Sequence, residues 1–160
     1  MAVNRGKDFE GIVKDCFKAI PNVYIRRLYD PQGGQLGVAN PCDFDVYKYP
    51  KFYMIECKSV HGNTLSIHSN NPKKKYGNIS NTQWEGLSEA SKYGVVCGVL
   101  CWWVDKDITR FLPIESLVQR KIEGNKSIRY DDDLPNSLII KGSKKRVFFD
   151  YDFTEFLERY

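Results

Sequence analysis

Four residues in the stretch 41–58, PCDFDVYKYPKFYMIECK, have side chains that rarely belong inside runs patterned like buried strands: Asp43, Asp45, Glu56 and Lys58. Side chains alternate across a strand, so residues two apart share a face. On 52–58 (FYMIECK), Met54, Glu56 and Lys58 point one way, and Tyr53, Ile55 and Cys57 point the other, into a core. On 43–49 (DFDVYKY), Asp43, Asp45 and Tyr47 share a face. If the two runs pair as a hairpin through Pro50 and Lys51, Asp43 and Glu56 come close, with Lys58 beside them. Neighbouring carboxylates repel, and one tends to protonate unless a cation neutralises them. A hard divalent cation, Mg²⁺ or Mn²⁺, suits such oxygen ligands and keeps several waters. That chemistry fits phosphodiester hydrolysis, with the metal activating a water and offsetting charge in the transition state. Lys58 would hold the attacking water and add positive charge near the phosphate. The alternative is a solvated strand face on which acids and a lysine do nothing more.

The surrounding elements would have to present these groups. Residues 7–20 place Phe9, Ile12, Val13, Cys16, Phe17 and Ile20 on one helical stripe, which Pro21 ends. Residues 23–29 read as a strand carrying Arg26 and Arg27, and 30–41 as a Gly- and Pro-rich loop. Residues 59–80 are polar and read as a long exposed loop. A second helix is expected over 80–94, with Ser80 or Asn81 as N-cap and Gly94 closing it. The apolar run 95–104 predicts a central strand covered on both faces, 108–113 the next strand, and 114–124 a short helix. The remainder suggests a further strand or loop and a closing helix. The pattern is α/β: a central mixed sheet flanked by helices, in a single domain spanning 1–160.

Composition narrows the function. The 160 residues are 42% hydrophobic and 14% aromatic, enough for a core, and the net charge of +4 is compatible with a nucleic-acid partner. No apolar run reaches membrane-spanning length and the N-terminus has no signal-peptide pattern, so a cytoplasmic protein without a membrane partner is expected. Five cysteines without CxxC spacing read as reduced thiols, three of them (Cys57, Cys97, Cys101) in apolar runs. A zinc site is disfavoured because His61 and His68 lie in a polar loop away from paired cysteines. Lys73, Lys74 and Lys75, in the loop after the acidic strand, are candidates for gripping phosphates, as are Arg5, Lys7, Arg26, Arg27 and the KKR at 144–146. Trp84 and at least one of Trp102 and Trp103 are expected in the core, and YDDD at 130–133 on the surface.

Asp43, twelve residues, then Glu56-x-Lys58, on strands that follow an amphipathic helix, resembles the PD-(D/E)XK nuclease superfamily. Within it, the chain resembles the RecU-type Holliday junction resolvases. NRGKDFE (4–10) is similar to the start of that family's first helix, with Glu10 at its acidic position. NTQWEGL (81–87) is similar to its glutamine-bearing helix, with Gln83 as the matching residue. RFLPIESLVQRK (110–121) and KSIRYDDD (126–133) extend the resemblance in islands over most of the chain. It implies a restriction-endonuclease-like fold and a homodimeric, Mg²⁺-dependent endonuclease that nicks branched, four-way DNA symmetrically in a bacterial or phage-infected cell. Asp43 and Glu56 would be metal ligands, Lys58 the water-positioning base, and Gln83 and Glu10 supporting residues. Asp45 matches no family acid and stands as an extra ligand candidate. Two departures are plain: Cys42 separates Pro41 from Asp43, and 21–40 is short for the stalk such resolvases insert into the junction. The rivals are a nuclease of the same superfamily acting on duplex or flap DNA, and a non-catalytic DNA-binding module of the same fold.

Overall fold

A computed structural model describes residues 5–29, 40–67 and 78–160. The first helix, α1 (Arg5–Lys18), buries Phe9, Val13 and Phe17, the centre of its apolar stripe. Each such side chain contributes on the order of 1.5–3 kcal/mol on burial. Strand β1 (Tyr24–Arg27) runs antiparallel to β2 (Phe44–Lys48), and β2 antiparallel to β3 (Lys51–Val60), the hairpin expected from the Pro50 connection. After the short β4 (Thr64–Ser66), helix α2 (Asn81–Ser91) crosses back, so that β5 (Val96–Trp103) lies parallel to β3. Strand β6 (Ile108–Pro113) then pairs antiparallel with β5 and leads directly into α3 (Ile114–Ile122).

The result is a six-stranded mixed sheet in the order β1-β2-β3-β5-β6-β8, with β8 (Leu138–Ile139) at the far edge. This is the α/β class with a central mixed sheet that the sequence pattern predicts. Alternation on β3 sorts the two layers. Tyr53, Ile55 and Cys57 pack with α1 and with Phe156 and Leu157 of the closing helix α4 (Thr154–Arg159). Met54 faces the opposite layer, where Trp84 and Leu87 of α2 and Leu117 of α3 cover Cys97, Val99 and Cys101 of β5. Trp102 and Trp103 are both buried, one in each layer. Among the described residues no helix is long and apolar enough to cross a membrane.

One expectation changes. The exposed loop assigned to 59–80 is partly built structure. Strand β3 continues to Val60, and β4 pairs antiparallel with β7 (Ser127–Arg129), burying Leu65 and Ile67 completely. Residues 68–77 of that loop, His68 among them, and residues 30–39 lie outside the described residues. The end of the chain holds a small second hairpin, β9 (Gly142–Lys144) with β10 (Phe149–Tyr151), before α4. The four cysteines at 42, 57, 97 and 101 are buried and all five are free thiols. His61 is exposed, with Nδ1 2.9 Å from Asp105 Oδ1.

Candidate active site

The acids meet where β2 leaves β3. The ladder's register ends at Phe44 opposite Ile55, one residue after Asp43. Asp43 N–H still donates to the Ile55 carbonyl at 3.2 Å, and its side chain adds a second tie to β3: Oδ2 accepts from the Cys57 backbone N–H at 2.8 Å. Its carbonyl accepts from Leu28 N–H at 2.8 Å, so the residue is pinned between the end of β1 and the middle of β3.

Glu56, in the middle of β3, is only 2% exposed. Its Oε1 accepts from Lys58 Nζ at 2.6 Å and from Gln83 Nε2 at 2.6 Å. Its Oε2 is buried without any hydrogen-bond partner, a costly condition in a protein interior. Burial first, and then the neighbouring Asp43 charge, push the Glu56 carboxyl up to about 8, with Lys58 opposing. Burial also raises Asp43, against the pull of the Cys57 N–H and Lys58. Glu10 on α1 is raised by burial and by Asp43. Burial holds the three acids away from the fully ionised state, with the Asp43 charge adding to it at Glu56 and Glu10, which is the condition a cation relieves.

Gln83 is aimed by its helix. Ser80 caps α2 by accepting from Gln83 N–H at 3.3 Å, and Gln83 Oε1 accepts from Ser80 N–H at 2.8 Å in return. This reciprocal capping box occupies the amide oxygen and leaves Nε2 to point at Glu56. The signal Ser80-x-x-Gln83 was available in the sequence, which yielded only the cap itself.

A cavity of about 500 Å³ gathers Lys7, Glu10, Arg27, Asp43, Glu56 and Gln83 along its walls. Tyr29, Asn40 and Cys42 also line it, and no sequence signal marked them. Asn40 Nδ2 donates to the Tyr29 carbonyl at 2.8 Å, and the Arg27 guanidinium lies over the Tyr29 ring, 5.3 Å from its centroid.

The remaining candidates are placed differently. Glu10 is ion-paired with Arg27. Asp45 is ion-paired with Arg26 at 2.5 Å, its cross-strand neighbour on β1, and is absent from the cavity wall. Asp105 is held low first by the Gly62 N–H and His61, and least by Arg5 at the start of α1. Lys73, Lys74 and Lys75 lie outside the described residues.

Among the described residues no three His, Cys, Asp or Glu side chains are grouped as a ready-made cage for an ion. Two carboxylates with one orphaned buried oxygen fit a hard, water-rich cation such as Mg²⁺ better than a closed zinc centre.

No family model matches the chain, and no curated protein does. Among solved structures, the chain is similar to that of Hjc from Archaeoglobus fulgidus, a Holliday junction resolvase from an archaeal hyperthermophile. The TM-score is 0.42 and the identity 17%, over 69% of this chain and 74% of that chain.

Proposed function

We propose that this chain is a metal-dependent endodeoxyribonuclease of the RecU-type, PD-(D/E)XK kind, a single nuclease domain that cuts branched DNA. The observation that carries the reading is the convergence of Asp43, Glu56 and Gln83 on one cavity, with Lys58 paired to Glu56 and the buried Glu56 carboxyl held well above its ordinary range. A structural ion pair has no need of a second buried acid and an orphaned oxygen.

Asp43 and Glu56 would hold Mg²⁺, or Mn²⁺ in its place. The ion, when bound, would supply a Lewis acid for the phosphoryl oxygen and a more acidic water. The protein's own contribution is positional. The Cys57 N–H fixes the Asp43 carboxylate, and the α2 cap fixes Gln83, which in turn fixes Glu56 Oε1. Lys58 Nζ, 2.6 Å from that oxygen, opposes protonation of Glu56 and stands ready to orient a water. Lys7 and Arg27 on the cavity wall place positive charge where a phosphate would enter, and Arg5 and Lys73–Lys75 would extend the grip along the backbone.

Junction preference rests on the sequence resemblance to RecU-type resolvases. Symmetric nicking would require two sites related by a twofold axis, hence a homodimer, working in the cytoplasm of a bacterial or phage-infected cell. The test is cleavage of a four-way junction beside linear duplex with Mg²⁺, at about 100 mM salt because phosphate contacts are screened. Paired nicks confined to the junction and lost in Asp43→Ala and Lys58→Ala support the proposal. Cleavage of every substrate retains the nuclease and removes the junction. Binding without cleavage in any metal favours a non-catalytic module.

A further inference from the structure

The β9–β10 hairpin places a basic turn at the C-terminal ends of the parallel strands β3 and β5. Every residue from Lys141 to Val147 is exposed, so β9 and the turn that follows it bury nothing of their own. Their partner strand seats them. Tyr151 is buried edge-on against Phe9 of α1, with its hydroxyl 2.8 Å from Thr109 Oγ1 on β6. The Phe148 ring lies 5.9 Å from that of Trp102, near the end of β5. Lys145 N–H donates to the Phe148 carbonyl at 2.6 Å and closes the turn.

Ion pairing shows which charges of this end face outward. Lys144 pairs with Asp107, just past the 3-10 turn Val104–Lys106 that follows β5. Asp105, on that turn, accepts from Gly62 N–H at 2.6 Å and lies 2.9 Å from His61 Nδ1, both just beyond the end of β3. Asp150 of β10 contacts the Cys16 thiol on α1. These three acids are engaged within the fold, whereas among the described residues Lys145 and Arg146 have no carboxylate partner. The same end adjoins the cavity. The first turn of α1 carries Arg5, whose charge reaches Asp105 weakly, and Lys7, which stands on the cavity wall. His61 follows Glu56 by five residues, about 16 Å at roughly 3.3 Å per residue. Two unpaired cations on an exposed turn, joined to the cavity by further cations, match a polyanion long enough to span both.

Resting on the nuclease reading, we infer that the β9–β10 turn clamps the DNA backbone, with Lys145 and Arg146 on phosphates of a duplex arm that leads to the cut and Arg5 between them and the cavity. Phosphate contacts fix register and orientation and carry no sequence information, so the clamp is indifferent to base sequence. A path of about 16 Å corresponds to about five base pairs at roughly 3.4 Å each. The substrate this implies has at least that much duplex on one side of the cut.

The test is fluorescence anisotropy of a duplex of about 20 base pairs in EDTA, so that nothing is cleaved, between about 50 and 200 mM salt. The wild type is expected to bind it. Lys145→Ala/Arg146→Ala is expected to bind at least about tenfold more weakly at about 100 mM salt, with the log–log salt slope reduced by about two. Its melting temperature should be unchanged, because both side chains are exposed. Lys48→Ala/Lys51→Ala removes the same charge at the opposite end of β3, across the β2–β3 turn, and is expected to bind nearly as the wild type does. No binding by the wild type, or equal binding by the hairpin variant, overturns the inference. So does an equal loss in both double variants, which would make the effect one of net charge. Cleavage assays on the same proteins keep the two ideas apart. Hairpin-dependent binding with no cleavage in any metal sinks the nuclease and leaves the clamp. A hairpin variant that binds and cuts as the wild type does sinks the clamp and leaves the nuclease.

Discussion

A Cβ added to Gly86, on α2, would stand 2.3 Å from Cβ of Pro41, two residues before Asp43. The helix that carries Gln83 is thus seated directly against the segment that leads into the first acid. The close approach is possible only because one of the two residues has no side chain.

Gly86→Ala is therefore expected to lever α2 off that segment and lengthen the Gln83–Glu56 contact. Overpacking costs about 1–3 kcal/mol, against about 1 kcal/mol gained in helix propensity, so the net change is a modest destabilisation. The loss of cleavage should be larger than the loss of stability alone explains. Gly11→Ala is the control: it sits on α1 with nothing within 4 Å of the new methyl, and should stabilise the protein by up to about 1 kcal/mol. Thermal melts and initial rates on the pair check both signs. Equal behaviour of the two variants would contradict the tight seating of α2.

The capping box separates two roles of one residue. Ser80→Ala removes the acceptor for Gln83 N–H and should cost about 1 kcal/mol of stability. Gln83 keeps its bond from Ser80 N–H in that variant, so the rate should change little. Gln83→Ala also removes the donor to Glu56 Oε1, and the rate should fall by about tenfold or more, as for a charge-assisted bond of roughly 1.5–3 kcal/mol. A Ser80→Ala enzyme as impaired as Gln83→Ala would mean that the cap, not the contact to Glu56, matters.

Glu56 makes stability depend on pH in a definite direction. Its folded value, about 8, lies above its ordinary value of 4.5. Between those limits the folded state binds a proton that the unfolded state has released, so its contribution is fully present below about pH 4.5 and is lost as pH rises to about 8. Asp43 is raised as well and acts in the same sense. Glu56→Gln keeps the shape and removes the titration. It should be more stable than wild type at pH 8, by an amount on the order of a few kcal/mol, and the advantage should shrink towards pH 5. Millimolar Mg²⁺ should raise the wild-type melting temperature at pH 8 and leave Glu56→Gln nearly unmoved, by mass action on the folded state. Denaturant melts at the two pH values, with and without the ion, decide it.

The parts of this arrangement that were legible in the sequence are those governed by local pattern. The α1 stripe, the β2–β3 hairpin, the two faces of β3 and the buried β5 follow from periodicities of 3.6 and 2. So does the shared face of Glu56 and Lys58. What stayed hidden depends on partners far away in the chain. Thr64–Ser66 has no alternation of its own and becomes a strand only because Ser127–Arg129 pairs with it. Asp45 looks like Asp43 by alternation, and only the β1 register, which puts Arg26 opposite it, sends the two acids to different partners.

Lys58 gives the sharpest separation of binding from chemistry. It contacts Glu56 at 2.6 Å, and its side chain is still 21% exposed, so it reaches both the carboxylate and the solvent from which an attacking water would come. Lys58→Ala leaves Glu56 with Gln83 alone and removes a cation that favours its ionised form, so the carboxyl should rise further. Cleavage should fall by about 100-fold or more, the usual scale for a lost proton-transfer or water-positioning group. Affinity for uncut DNA in EDTA should change by no more than one phosphate contact would cost. Lys58→Arg tests what the lysine supplies. A guanidinium restores the charge next to Glu56, but as a rigid planar fork that does not give up its proton. If Lys58→Arg cleaves as the wild type does, the residue acts through its charge on Glu56 alone. If it is as slow as Lys58→Ala while Mg²⁺ still raises its melting temperature, the ammonium itself handles the water.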